Sequence, residues 1–284
     1  MSASTVRILE WREGVRLNNR SRCVWVDTAP AMSQLVYALD NYRRDEPVMF
    51  VDIQGATLSR NGAISTMQIY DAVDHVAYLI DVETRGQRCF TTHAKNGRTL
   101  KQVLENKNII KVFFDARADS EALYTHHGIV LQGIHDVQLM EVATRSYCRG
   151  YARDLSFCIG QDATFTTEDM INWIHLTGTR IAPFSADTNG SSKVFHQRHL
   201  LHGTRLYSPQ KFNFLMQLYA HYKSKLTPEW EERMISASED RVRQSKSAGV
   251  DDQEINMGRA PDGWHEIEAC SGELANSYLG LAHR

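Results

Sequence analysis

Val48-Met49-Phe50-Val51-Asp52-Ile53-Gln54-Gly55 is the stretch on which the reading of the fold turns. Four consecutive apolar residues run into an acid, an apolar residue, an amide and a glycine. A run this short suits a buried strand better than a helix, and central strands of a covered sheet read as near-continuous apolar segments. Asp52 then falls near the carboxyl end of a core strand, where a fold can present a charge to a cleft. A second acid two residues on would suggest a two-metal site, because ions that bridge a scissile phosphate need several converging carboxylates. Position 54 carries an amide instead.

Downstream, residues 55–62 form a turn region, and 63–70 and 76–82 read as two more strands. Three strands with short connections predict an antiparallel meander. Residues 99–106 predict a short helix, 109–114 a buried strand ending at Asp115, and 118–127 a helix closed by Gly128, the usual left-handed stop. Residues 129–134 follow as a fifth strand and 136–146 as a helix. Upstream, Cys23-Val24-Trp25-Val26 is a short strand, and Thr28 with Pro30 starts a helix carrying Leu35, Leu39 and Tyr42. A meander leading into strand–helix alternation predicts an α/β fold, a mixed five-stranded central sheet flanked by helices.

Beyond residue 146 the pattern is less regular, with a surface loop around 178–192. Ser208-Pro209 reads as the start of a strong helix with Phe212, Leu215, Met216, Tyr219 and Tyr222 on one face. Thr227-Pro228 caps a charged helix that runs to about Gln244. From Ser245 the chain is polar and glycine-punctuated, an extended or partly disordered tail that Trp230, Trp264 and Tyr278 could pin. The expected division is an N-terminal extension at 1–21, one domain at 22–245 and a tail at 246–284.

Composition narrows the function classes. The 284 residues are 42% hydrophobic and 23% charged, ordinary for a globular protein. No run of about 18 apolar residues suggests a membrane span, and the first residues lack a signal-peptide core. Five scattered cysteines without a CxxC read as reduced thiols, which places the chain in the cytoplasm or nucleus. A net charge of −2 argues against strong non-specific nucleic-acid binding. A local basic groove remains open, with Arg145, Arg149, Arg153, Lys193, Arg198 and Arg205 as candidate phosphate contacts.

The carboxylates at strand and helix ends are Asp52, Asp115, Asp119 and Asp136. Each has a structural alternative: Asp119 complements a helix dipole, and Asp115 and Asp136 cap turns. Among the histidines, His126-His127 cannot share a helix face, and His196, His199 and His202 would pair only on a helix. Tyr207, Ser208 and Lys211 contain nucleophile types but no ordered base partner.

At this point the sequence resembles the DEDD superfamily of 3′–5′ exonucleases, the ribonuclease D-like group, and most closely a fungal branch of it. The resemblance spans roughly 22–245. It is carried by Met49-Phe50-Val51-Asp52-Ile53-Gln54-Gly55, Leu58-Ser59-Arg60-Asn61-Gly62-Ala63-Ile64-Ser65 and Lys111-Val112-Phe113-Phe114-Asp115-Ala116-Arg117-Ala118-Asp119-Ser120. Asp136-Val137-Gln138-Leu139-Met140-Glu141 and Phe195-His196-Gln197-Arg198 through Tyr207 continue it. It implies a ribonuclease H-like fold and a magnesium- or manganese-dependent site. Asp52 and Asp119 match two of the family's metal-binding acids. Gln54 stands where the first motif has glutamate. Tyr207 matches the third motif's tyrosine, and Lys211 stands where that motif has aspartate.

Magnesium takes hard, preferably anionic oxygen ligands. An ammonium about 4 Å from a cation opposes it by about 4 kcal/mol per pair of unit charges at an effective dielectric of about 20. Lys211 is therefore expected to replace the ion and pair with Asp52 and Asp119, with no cofactor bound. The resulting expectation is a pseudo-exonuclease that binds RNA or single-stranded DNA, or serves as a scaffold for a protein partner or a second copy, with no membrane. Two alternatives stand beside it. One is an active exonuclease with Asp115 or Asp136 moved in. The other is a cleft converted to small-molecule chemistry. The helix start read at Ser208-Pro209 would put Tyr207 outside the helix that carries Lys211.

Overall fold

The computed structural model describes residues 8–9, 22–40, 49–55, 58, 60–146, 148–164, 166, 202–247 and 258–264, with the backbone alone at 8–9, 22 and 202–210. The described strands are β1 (Ile8–Leu9), β2 (Arg22–Val26), β3 (Met49–Gln54), β4 (Thr66–Asp71), β5 (Val76–Asp81), β6 (Lys111–Phe113) and β7 (Ile134–Asp136). They form one mixed sheet in the order β1-β2-β5-β4-β3-β6-β7. β3, β4 and β5 are the antiparallel meander. β6 runs parallel to β3 and β7 to β6, while β2 runs parallel to β5.

The sheet has seven strands rather than the expected five, because β2 and the two-residue β1 extend it beyond β5. The fifth strand also differs in place. Residues 129–132 are not a strand, because their N–H groups are taken elsewhere. Ile129 donates to Leu123, Val130 to the Glu105 carboxylate and Gln132 to Leu104. The ladder begins only after Gly133, whose φ of +63° turns the chain. The apolar side chains of Ile129 and Leu131 are buried all the same.

The helices are α1 (Ala29–Asp40), α2 (Val82–Arg85), α3 (Arg88–Thr91), α4 (Leu100–Leu104), α5 (Arg117–His127), α6 (Val137–Thr144), α7 (Leu155–Asp162), α8 (His202–Lys223) and α9 (Pro228–Ser245). They bury two clusters, one on each face of the sheet. Val51, Ile53, Met67 and Ile69 pack with Leu35 and Leu39 of α1 and Leu100 and Val103 of α4. Phe50, Tyr70 and Val112 pack on the other face with Leu139 of α6, Phe212 and Leu215 of α8 and Met234 of α9. Successive side chains of a strand point to opposite faces. Asp52 and Gln54 therefore lie on the Phe50 face, under α8.

The chain is tightest where β3 ends. A Cβ on Gly55 would lie 1.8 Å from the Ala63 carbonyl oxygen, and the Ser65 N–H donates to the Gln54 carbonyl alongside at 2.8 Å. Gly55→Ala is expected to cost about 3 kcal/mol through overpacking. A urea-denaturation midpoint equal to that of the unchanged chain would refute this.

Helix α8 runs straight through Ser208-Pro209, against the expected start there. An interior proline costs about 3 kcal/mol. The buried row Phe212, Phe214, Leu215 and Leu218 more than offsets it at roughly 2 kcal/mol per fully buried large apolar side chain. Tyr207 and Lys211 thus share one helix, four residues apart. α9 begins at the expected Thr227 cap, whose hydroxyl accepts from the Trp230 N–H at 3.3 Å.

Past α9, Ala152 N–H donates to Gly258 and Ala260 N–H to Gly150. The buried Trp264 meets Trp230 edge-on with ring centroids 5.2 Å apart. Tyr278, the loop around 178–192, His196 and His199 lie outside the described residues. Cys23, Cys89 and Cys158 are free and buried. Cys148 is disulfide-bonded, which corrects the reading of reduced thiols throughout. No described helix is long and apolar enough to cross a membrane.

Candidate functional site

β3 and α5 bring Asp52 and Asp119 together, and α8 adds Lys211. The Lys211 ammonium donates to Asp52 Oδ1 at 2.6 Å, with each side chain 14% exposed. The Gln54 amide donates to the other oxygen of the same carboxylate. Asp119, 8% exposed, accepts the backbone N–H of Ile53 at 3.0 Å. That bond ties the first turn of α5 to β3.

Burial first, and the Asp52 carboxylate second, push Asp119 well above the ordinary carboxylate range, with Lys211 pulling the other way. Two acids and one ammonium share the space, so a single proton on Asp119 leaves the cluster neutral. The unfolded chain releases that proton from about pH 3.9 upward, while the folded chain holds it longer. Stability from this group is full at low pH and declines as pH rises towards the folded pKa. Asp119→Asn keeps the shape without the proton and should raise the melting temperature more at pH 7 than at pH 4. An equal change at both values would contradict the assignment.

A divalent ion does not fit these donors. One Asp52 oxygen is held by an ammonium and the other by an amide donor. Asp119 faces a backbone donor. Among the described residues no group of three or more His, Cys, Asp or Glu is placed to hold a metal. The Tyr207 backbone lies on α8, and its side chain is outside the described set.

Asp115 and Asp136 are engaged elsewhere. Asp136 is fully buried and accepts the N–H groups of Asp115 (2.9 Å), Ala116 (3.1 Å) and Gln138 (3.0 Å). Arg241 of α9 donates to Asp136 and, at 2.9 Å, to the Gln138 side chain. Asp115 takes Arg117 in a two-pronged pair at 2.6 and 2.7 Å. Its backbone is left-handed, with φ +58°, a conformation that costs a non-glycine residue energy. The network holds the entry to α5, and so the position of Asp119. Reading residues in order gave no sign of Arg241.

The basic candidates divide. Arg145 is buried and pairs with Glu141 one turn earlier, so it is a structural residue rather than an open phosphate contact. Arg153 lies 3.7 Å from the same carboxylate and over the Phe157 ring. Arg149 stacks on Trp230. Lys193 and Arg198 lie outside the described residues, and Arg205 is described by its backbone only.

Residues 23–155 match a family described as 3′–5′ exonuclease. The piRNA biogenesis protein EXD1 of Mus musculus is 33% identical over 99 residues, which is 35% of this chain and 16% of that protein. The protein of the same name from Homo sapiens is 33% identical over 99 residues, 18% of its length. The match thus spans less than a fifth of these two relatives. The Trypanosoma brucei RNase D structure in complex with RNA U12 superposes with a TM-score of 0.64 at 19% identity, covering 86% of this chain and 78% of that one. The catalytic core of RRP6 from Trypanosoma brucei gives 0.52 at 17% identity, with 80% and 53% covered. At such identities the superpositions establish the fold, a ribonuclease D-like sheet with flanking helices. The chain carries a 3′–5′ exonuclease-like domain of DEDD type.

Proposed function

We propose that this 3′–5′ exonuclease-like chain binds RNA without cutting it and acts as a scaffold or adaptor in the cytoplasm or nucleus. The observation that carries the reading is the 2.6 Å contact between Lys211 Nζ and Asp52 Oδ1. The ammonium takes the oxygen that a magnesium or manganese ion would need, and the cleft is neutralised from within. RNA is favoured over DNA on two grounds. The matched curated relatives are named for piRNA biogenesis, and one superposed structure holds an RNA. The competing reading is a metal-dependent exonuclease using Asp115 or Asp136. It would require those carboxylates to leave Arg117 and Arg241, their partners in a buried network.

The test is a 3′-labelled RNA incubated with the purified chain and magnesium or manganese. The expected result is binding with no shortening. Metal-dependent shortening that disappears in Asp52→Asn would sink the proposal and establish the competing one.

A further inference from the structure

Trp230, near the start of α9, gathers two guanidiniums that the cleft does not use. Arg149 lies over its ring at 4.2 Å from the centroid, and Arg233 at 5.0 Å. Trp264 buttresses the same ring edge-on. Arg149 donates to the Arg145 carbonyl, and among the described residues it contacts no carboxylate. Its Nε is buried without any partner. Burial first, then the like charges of Arg145 and Arg233, lower its pKa, the mark of an under-neutralised cation. A buried donor left unpaired carries a desolvation cost that an incoming acceptor would relieve.

The surroundings supply what such a ligand needs. Tyr151, two residues on, is 51% exposed, a large aromatic ring facing solvent. Its backbone bridges to that of Arg259, also exposed. Glu229 meets Arg233 at 2.9 Å, but its side chain is 71% exposed, so water screens that pair. Asp262 supplies the remaining nearby acid, and just behind the patch Arg145 and Arg153 share the single carboxylate of Glu141. Positive charge is therefore in excess here, on a chain whose net charge is −2. Arg233, Arg259 and Trp264 continue into a cavity of about 610 Å³ whose floor includes Arg117 and Arg241. Guanidiniums beside an exposed aromatic suit alternating phosphates and bases better than an acidic peptide, which has no ring to stack.

We propose that Arg149, Tyr151, Arg233 and Arg259, organised by Trp230, form a docking patch for single-stranded nucleic acid that shares no residue with the Asp52 cleft. The inference rests on the nucleic-acid reading above. It predicts that the strand is held at α9 and the 258–264 segment whether or not its end enters the cleft.

The test is fluorescence anisotropy of a labelled oligouridylate on the full chain. Arg233→Ala/Arg259→Ala should weaken binding about tenfold and lower the slope of affinity against salt by about one. Tyr151→Ala should weaken it by about tenfold through lost stacking. Arg88→Ala, an exposed arginine on the opposite side of the sheet, should change nothing. These residues are exposed, so the variants should fold, and circular dichroism checks that they do. If the unchanged chain binds and the patch variants behave like Arg88→Ala, the patch is wrong and the nucleic-acid reading stands. If the unchanged chain binds no oligonucleotide, both fall. Equal competition by a polyglutamate of matched length would show a surface that reads charge alone, and would also overturn the patch.

Discussion

Gln54→Glu combined with Lys211→Asp gives the chain a manganese site at least a hundredfold tighter than any the unchanged chain shows. The geometry for it is already in place. α8 is continuous through Pro209, so position 211 faces Asp52 across a 2.6 Å contact. Position 54 sits two residues along β3 on the same face, its amide already touching Asp52. An aspartate at 211 turns a repelling unit charge into an attracting one. At about 4 Å and a dielectric of about 20, each unit charge acts on a divalent ion with about 8 kcal/mol. Desolvation returns most of that gain, but a hundredfold needs only about 3 kcal/mol of what remains. Without metal the four carboxylates repel, so the double variant melts lower than the unchanged chain. Manganese should restore its melting temperature in proportion to the logarithm of its concentration. Titration calorimetry reads the affinity directly. Tight manganese binding by the unchanged chain, lost in Asp52→Asn, would sink the idea. So would a folded double variant that takes no metal.

The parts of this molecule legible in its sequence are those set by local period. The 48–55 run, the strands after it and the Gly128 stop each announce themselves within a few residues, and the sheet places them as expected. What was hidden depends on distant partners. Residues 129–134 carry the apolar content of a strand, but the ends of α4 and α5 claim their N–H groups first. Ser208-Pro209 has the chemistry of a helix start, yet the apolar row from Phe212 onward holds the helix on both sides of it. Asp115 and Asp136 looked available for metal because their partner, Arg241, is 105 residues from Asp136. A local signal did exist for Arg145. Glu141 stands four residues before it, a spacing that pairs charges on a helix, and it marks that arginine as structural rather than as a phosphate contact. The contact of Lys211 with Asp52 spans 159 residues. No periodicity reveals it, and only the family comparison pointed to the pair.

Arg241→Met should destabilise the chain by about 3–5 kcal/mol, the usual cost of removing one partner from a buried ion pair. Arg241 is 7% exposed, and Asp136, its partner, is fully buried. Methionine fills comparable space but leaves the Asp136 charge with backbone donors only. The loss should also spread. Asp136 holds the N–H groups of Asp115 and Ala116, and Asp115 has a left-handed backbone that needs such support. Loosening that turn frees the entry to α5, and with it the bond from Ile53 to Asp119. At roughly 3 °C per kcal/mol for a domain of this size, the melting temperature should fall by about 10 °C. Amide exchange should quicken at Asp115, Ala116 and Ile53 before it does in β4 or β5. Asp136→Asn alone keeps one carbonyl oxygen for the N–H donors but strands the Arg241 charge. The double variant should therefore lose less than the two single losses added together, with a coupling of at least about 1 kcal/mol. Strict additivity would mean that the two side chains act independently, and the network would then have no part in setting where Asp119 sits.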